Sequence, residues 1–172
     1  MRCFIAVDLP EDIKEKIRDI NFDDKVARVA KPSDYHLSLK FLGDISESMI
    51  ERVKKDLSKI RFKPFRLKLD HIEFFPKGMN FIRVIWIGVT PKRKIIKLKE
   101  DIDGALVSLF EREKRFEPHI TLGRVKTVKN KNKFIEFSNL KIDGDFRVDN
   151  FKLIKSVLTE KGAVYETLEE YS

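Results

Sequence analysis

The feature that most restricts the fold is a plan that occurs twice along the 172 residues. Arg2 to Val7 is rich in strand formers, and Asp8-Leu9-Pro10 leads into a segment where Ile13, Ile17 and Ile20 recur at helical spacing. Arg83 to Val89 is a second apolar strand, and Thr90-Pro91 leads into a segment where Ile95, Leu98, Ile102, Leu106 and Leu109 form a helical stripe. Tyr35-His36-Leu37-Ser38-Leu39 alternates polar and apolar residues, as does His119-Ile120-Thr121-Leu122, and Pro64 to Leu69 resembles Asp145 to Asp149 as a strand entered from a turn. The landmark pairs Pro10 and Pro91, His36 and His119, and Phe65 and Phe146 are separated by 81, 83 and 81 residues, the signature of an internal duplication.

Two such units predict a bilobal α+β fold, with two antiparallel or mixed sheets facing a central cleft and helices on the outer faces. Ser46 to Ile60 reads as a further helix, with Met49, Ile50, Val53, Leu57 and Ile60 on one face and Ser46 as its N-cap; the matching Lys126 to Lys133 reads as a basic loop. No Pro/Gly/Ser linker separates the halves, so residues 1–172 are expected to form one domain of two pseudo-symmetric lobes, a monomer.

Charge narrows the partners. Lys plus Arg number 36 against 28 Asp plus Glu, a net charge of +8 that suits a polyanion or, equally, a solvated Lys-rich surface. The single Cys3 cannot form an intrachain disulfide, and Asp8 and Pro10 interrupt the apolar opening that a signal peptide would need, which predicts a cytoplasmic protein. The most apolar run, Val84 to Val89, is strand-sized, so no membrane role is expected.

Two of the three histidines occupy the same His-x-Ser/Thr pattern at corresponding places in the repeats. In a strand, residues i and i+2 share a face, so His36 travels with Ser38 and His119 with Thr121. If the repeats meet about a pseudo-twofold axis, one centre receives two imidazoles and two hydroxyls. That set suits in-line displacement at phosphorus: a neutral imidazole takes a proton from water, a protonated one gives a proton to the departing oxygen, and the hydroxyls hold non-bridging oxygens. No His-x₃-His or Cys-x₂-Cys spacing supports zinc, and neither a metal nor another cofactor is expected.

The opening Arg2 to Pro10, the motif Tyr35-His36-Leu37-Ser38-Leu39-Lys40-Phe41-Leu42-Gly43 and the motif Pro118-His119-Ile120-Thr121-Leu122-Gly123-Arg124 resemble the two-histidine (2H) phosphoesterase superfamily, specifically its RNA 2′,3′-cyclic phosphodiesterases, also called 2′-5′ RNA ligases. The resemblance extends over essentially the whole chain. It implies a cleft on a pseudo-twofold axis, no metal, and hydrolysis of terminal RNA 2′,3′-cyclic phosphates to 2′-phosphates, with reversible 2′-5′ joining as the same chemistry run backward. It assigns His36 and His119 as the acid/base pair, Ser38 and Thr121 as phosphate ligands, and Arg124 as the neutralising cation; Ser38 stands where Thr is commoner. RNA with a cyclic-phosphate or 2′-5′ linkage, including tRNA halves, is the implied partner. The alternative from another class is an RNA- or nucleotide-binding module without turnover.

Away from the motifs, alternation places Phe41 with Leu37 and Leu39 in the core. Phe74-Phe75-Pro76 has two readings, core packing of both rings or stacking of Phe75 on a base. Lys126, Lys129, Lys131 and Lys133 either line the cleft mouth against RNA or form a solvated loop. His71, without a counterpart in the second repeat, reads as structural or surface.

Overall fold

The computed structural model describes residues 1–76, 81–138 and 140–172. Strands β1 (Arg2–Asp8), β2 (Ala27–Ala30), β3 (His36–Asp44), β4 (Phe65–Phe75), β5 (Val84–Thr90), β6 (His119–Val128), β7 (Asp145–Val148), β8 (Phe151–Thr159) and β9 (Gly162–Tyr171) alternate with helices α1 (Glu11–Arg18), α2 (Glu47–Leu57), α3 (Lys92–Ala105) and α4 (Lys131–Ile135). Pro10 and Pro91 stand at the N-caps of α1 and α3, so the strand–proline–helix plan holds in both halves. Ser46 caps α2 by accepting a 3.2 Å hydrogen bond from the Met49 amide.

The expectation of two sheets needs correction. The strands run β7-β4-β5-β6-β3-β1-β8-β9 in one sheet, with β2 added on β6, and every pairing among the described residues is antiparallel. The reason lies at the centre, where β3 and β6 pair at Leu37↔Ile120 and so join what would otherwise be two sheets. The helices are not on two outer faces either. Ile13 and Ile17 of α1, Ile50 and Val53 of α2, Ile95 and Ile102 of α3 and Phe134 of α4 share one continuous core with Ile5, Leu37, Ile87 and Ile120 of the strands. Each fully buried aliphatic chain contributes about 1.5–3 kcal/mol. Among the described residues, the opposite face of the sheet carries a small cluster of Phe4, Ala6 and Ile154, packed against Tyr165, with Trp86 buried apart from it.

The stretch expected as a basic loop is instead the end of β6, extending to Val128, followed by α4. Asn130 caps this helix, and buried Phe134 stacks on Phe74 at 4.9 Å. Among the described residues no helix is long and apolar enough to cross a membrane.

Candidate active site

The antiparallel pairing of Leu37 with Ile120 organises the site. Both side chains are fully buried on the helix side, so their neighbours along each strand, His36 and Ser38, His119 and Thr121, project from the other face. Extending the register by one residue sets His36 beside Thr121 and Ser38 beside His119. The four groups therefore form a quadrilateral with the histidines on its diagonal, about 7–8 Å apart for ideal strands. Four of the five motif residues singled out in the sequence meet here.

Both histidine strands carry a bulge at the same place. On β3 the register passes from Ser38↔Ala6 to Lys40↔Ile5, leaving Leu39 as the extra residue; on β6 it passes from Thr121↔Trp86 to Gly123↔Ile85, leaving Leu122 as the extra residue. A bulge turns two successive residues to one side, so the fifth residue after each histidine returns to the site face. In the second half this residue is Arg124, exposed as the motif requires. In the first half it is Phe41, 70% exposed, which corrects the expectation that Phe41 packs in the core. Lys40 takes the inward position instead, with Nζ 2.8 Å from Asp103 and 2.9 Å from the Glu111 carbonyl oxygen. Its counterpart Gly123 packs against β2: a Cβ there would collide with Val29 and lie 2.9 Å from the Ala30 carbonyl oxygen.

The two imidazoles have different surroundings. His36 lies 4.9 Å from the Phe4 ring and 5.2 Å from the Tyr165 ring, and Phe4 in turn lies 5.9 Å from Phe41. Burial holds the His36 ring below the usual histidine range; Asp34 and Asp8 pull it back up, and Lys14 pushes it down. These charges form one network. Lys14 bridges Asp8 and Asp34 at 2.9 Å each, and Lys152 reaches Asp8 at 3.1 Å. Burial opposes ionisation of Asp8, but the hydrogen bonds from Lys14 and Lys152 prevail and keep it below the ordinary carboxylate range.

His119 is oriented from behind. Its Nδ1 lies 2.7 Å from the Glu117 carbonyl oxygen, which only accepts, so Nδ1–H donates and Nε2 is left for the site. Trp86 flanks the ring at 5.5 Å, and Lys92 pins the Glu117 side chain at 2.6 Å. That ion pair raises the Lys92 ammonium above its usual range, chiefly through the hydrogen bond to Glu117.

The peripheral residues divide. Phe74 is buried, whereas Phe75 is 61% exposed and sits opposite Val84, which sits opposite Arg124, so Phe75 shares the site face two strands away. Lys126 is exposed at the bulge facing β2, and exposed Lys129 lies beyond the end of β6, its amide bonded to the Val26 carbonyl. Neither belongs to the quadrilateral. His71 is partly exposed and pairs with Asp70 at 2.6 Å, away from the site strands. Sequence reasoning missed Phe4, Trp86 and Tyr165 as walls of the site; alternation along β1 and β5 was the available signal for the first two. Among the described residues no cluster of three His, Cys, Asp or Glu side chains is placed to hold a metal ion.

Known proteins resemble this chain in sequence and fold. The chain is 36% identical to the RNA 2′,3′-cyclic phosphodiesterase of Methanocaldococcus jannaschii, over 99% of this chain and 100% of the relative. It is 32% identical to the enzyme of the same name from Archaeoglobus fulgidus, over 99% of each chain. A crystal structure of Escherichia coli LigT complexed with 3′-AMP superposes with a TM-score of 0.74 at 27% identity, covering 98% of this chain and 95% of that one. The model of the 2′-5′ RNA ligase superfamily matches residues 8–160, and the chain belongs to that superfamily.

Proposed function

We propose that this protein hydrolyses the 2′,3′-cyclic phosphate at RNA ends to a 2′-phosphate. The observation that carries the reading is the Leu37↔Ile120 pairing, which puts two imidazoles and two hydroxyls on one face around one centre. With phosphorus above that centre, one histidine takes a proton from the attacking water. The new P–O bond forms as the P–O3′ bond breaks, and the second histidine delivers its proton to O3′. The diagonal placement suits this in-line geometry, with base and acid on opposite sides of phosphorus. Ser38 and Thr121 hold the non-bridging oxygens, and Arg124 offsets their growing charge. With the 5′-hydroxyl of a second RNA in place of water, the same displacement joins the two chains through a 2′-5′ linkage.

Phe41 gives the terminal base a platform beside His36, while Phe75, Lys126 and Lys129 meet the RNA chain. The matching registers and matching bulges of β3 on β1 and of β6 on β5 support a duplicated, two-lobed domain about a pseudo-twofold axis through the Leu37↔Ile120 pair. The reading takes the chain as a cytoplasmic monomer that needs no metal, with tRNA halves among the RNAs that carry this end chemistry.

The test is turnover of an RNA oligomer ending in 2′,3′-cyclic phosphate, in EDTA, with the product phosphate located. A 2′-phosphate product with a bell-shaped pH profile is expected. Binding without turnover would make the chain a binding module, and a strict metal requirement would overturn the mechanism.

A further inference from the structure

Past Arg124 the site face continues onto β2, a strand with no counterpart in the first half. Ala30 lies opposite Arg124 and Arg28 opposite Thr127, so Arg28 shares the site face one step farther along β6. Arg28 and Arg124 on this face, and Arg83 just before β5, are exposed, and none has a carboxylate partner among the described residues. Two bare aromatic rings accompany them. Phe75 lies in line with Arg124 across β5, and Phe81 is 66% exposed beneath the Arg83 guanidinium, 5.0 Å from the ring centroid.

The opposite flank is different. There Lys152 is occupied by Asp8, and on the outer strand β9 the exposed Glu170 lies opposite Lys152 on the site face, where its charge repels phosphates. A cyclic-phosphate end has chain on its 5′ side only, so the RNA needs one exit. Unpaired cations interleaved with exposed rings match the needs of an unpaired strand, whose phosphates seek positive charge and whose bases seek faces to stack on.

We infer that the RNA upstream of the cyclic end leaves over the β2–β6–β5–β4 end of the sheet, and that Arg28, Arg83, Phe75 and Phe81 make a single-stranded oligonucleotide the preferred substrate class. From Thr121 to Thr127 the ledge extends along about 20 Å of strand, long enough for several phosphates. The inference rests on the phosphodiesterase reading and goes beyond it by fixing the direction and strandedness of the bound chain.

The experiment compares kcat/KM on 2′,3′-cyclic AMP, on a single-stranded decamer ending in cyclic phosphate, and on that decamer annealed to its complement, across a salt series. The wild type is expected to favour the single-stranded decamer. An Arg28→Gln/Arg83→Gln variant should lose about tenfold or more on that decamer relative to the mononucleotide. Its log–log salt slope should flatten by about 1.4, or roughly 0.7 for each phosphate no longer neutralised. Phe75→Ala/Phe81→Ala should lower the same ratio without flattening the slope. Unchanged ratios and slopes in an active enzyme would overturn the ledge alone, and equal use of the duplex would overturn its single-strand character. A wild type inactive on all three substrates would overturn the phosphodiesterase reading, and the ledge with it.

Discussion

The two histidine strands share a register and a bulge but present different chemistry. Around His36 the wall is aromatic, built from Phe4, Phe41 and Tyr165, with a half-buried network of Lys14, Lys152, Asp8 and Asp34 behind it. Around His119 the wall is the ring of Trp86, with Arg124 where the first strand has Phe41, and the imidazole is held by a backbone carbonyl. The two strands thus offer matching scaffolds, and the difference at the fifth residue after each histidine makes one side apolar and the other cationic. A nucleotide with a cyclic phosphate has the same asymmetry, a flat base on one side of a charged phosphorus.

The comparison breaks most severely at the inward position of the bulge. Asp103→Ala removes the carboxylate that Lys40 reaches at 2.8 Å and Lys99 at 3.1 Å. Lys99 keeps Glu113 at 3.1 Å, but the buried Lys40 ammonium is left with the Glu111 carbonyl oxygen and, among the described residues, no carboxylate. A loss of about 3–5 kcal/mol in urea unfolding is expected, because an uncompensated buried charge costs more than the pair contributes. A loss below about 1 kcal/mol would show that Lys40 escapes to solvent and that the first-strand bulge is not anchored as described.

The exchange of Phe41 for Arg124 is the next largest. Arg124→Leu is expected to lower kcat on the order of 10²-fold, because its charge acts as the phosphorus centre accumulates negative charge. Phe41→Ala should instead raise KM about tenfold with kcat nearly intact, as expected for the removal of a stacking surface worth about 1.4 kcal/mol. Steady-state kinetics on a cyclic-phosphate RNA separate the two. The same kcat/KM split for both variants would mean that the sides have not divided their labour.

The smallest effect is electrostatic, and its sign is fixed. Burial lowers the His36 pKa, so its neutral form persists to lower pH than that of an ordinary histidine. Asp34 opposes this lowering, so Asp34→Asn should move the His36 titration further to acid. Lys14 reinforces it, so Lys14→Met should move the titration toward neutrality. NMR titration of the His36 ring reads both shifts, and movement in the same direction would contradict the described network.

Much of this was legible in the residues. Pro10 and Pro91 marked both strand-to-helix turns, Ser46 marked a cap, and the His-x-Ser/Thr pairs marked four side chains that share one face, because each rests on local chemistry that sequence spacing exposes. Phe41 was misplaced because alternation assumes an unbroken period of two, and one extra residue at Leu39 reverses the side chains that follow it up to a second shift at Leu42. The same bulge explains why Lys40 is buried. The single sheet was invisible for another reason: it depends on the Leu37↔Ile120 pair, a contact between residues far apart in the chain that no local pattern encodes. The wall contributed by Tyr165 was unreadable on the same ground, since β9 reaches the site only through β8 and β1.

The central claim is that His36 and His119 act as one acid/base unit across the seam. The most direct test is turnover of a cyclic-phosphate RNA by His36→Ala, His119→Ala and the double variant. Each single variant should lose about 10²–10⁴-fold in kcat, and the double variant should be little worse than either, because removing one partner disables the proton relay for both. Losses that multiply in the double variant, or a single variant that retains near-wild-type turnover, would contradict the account.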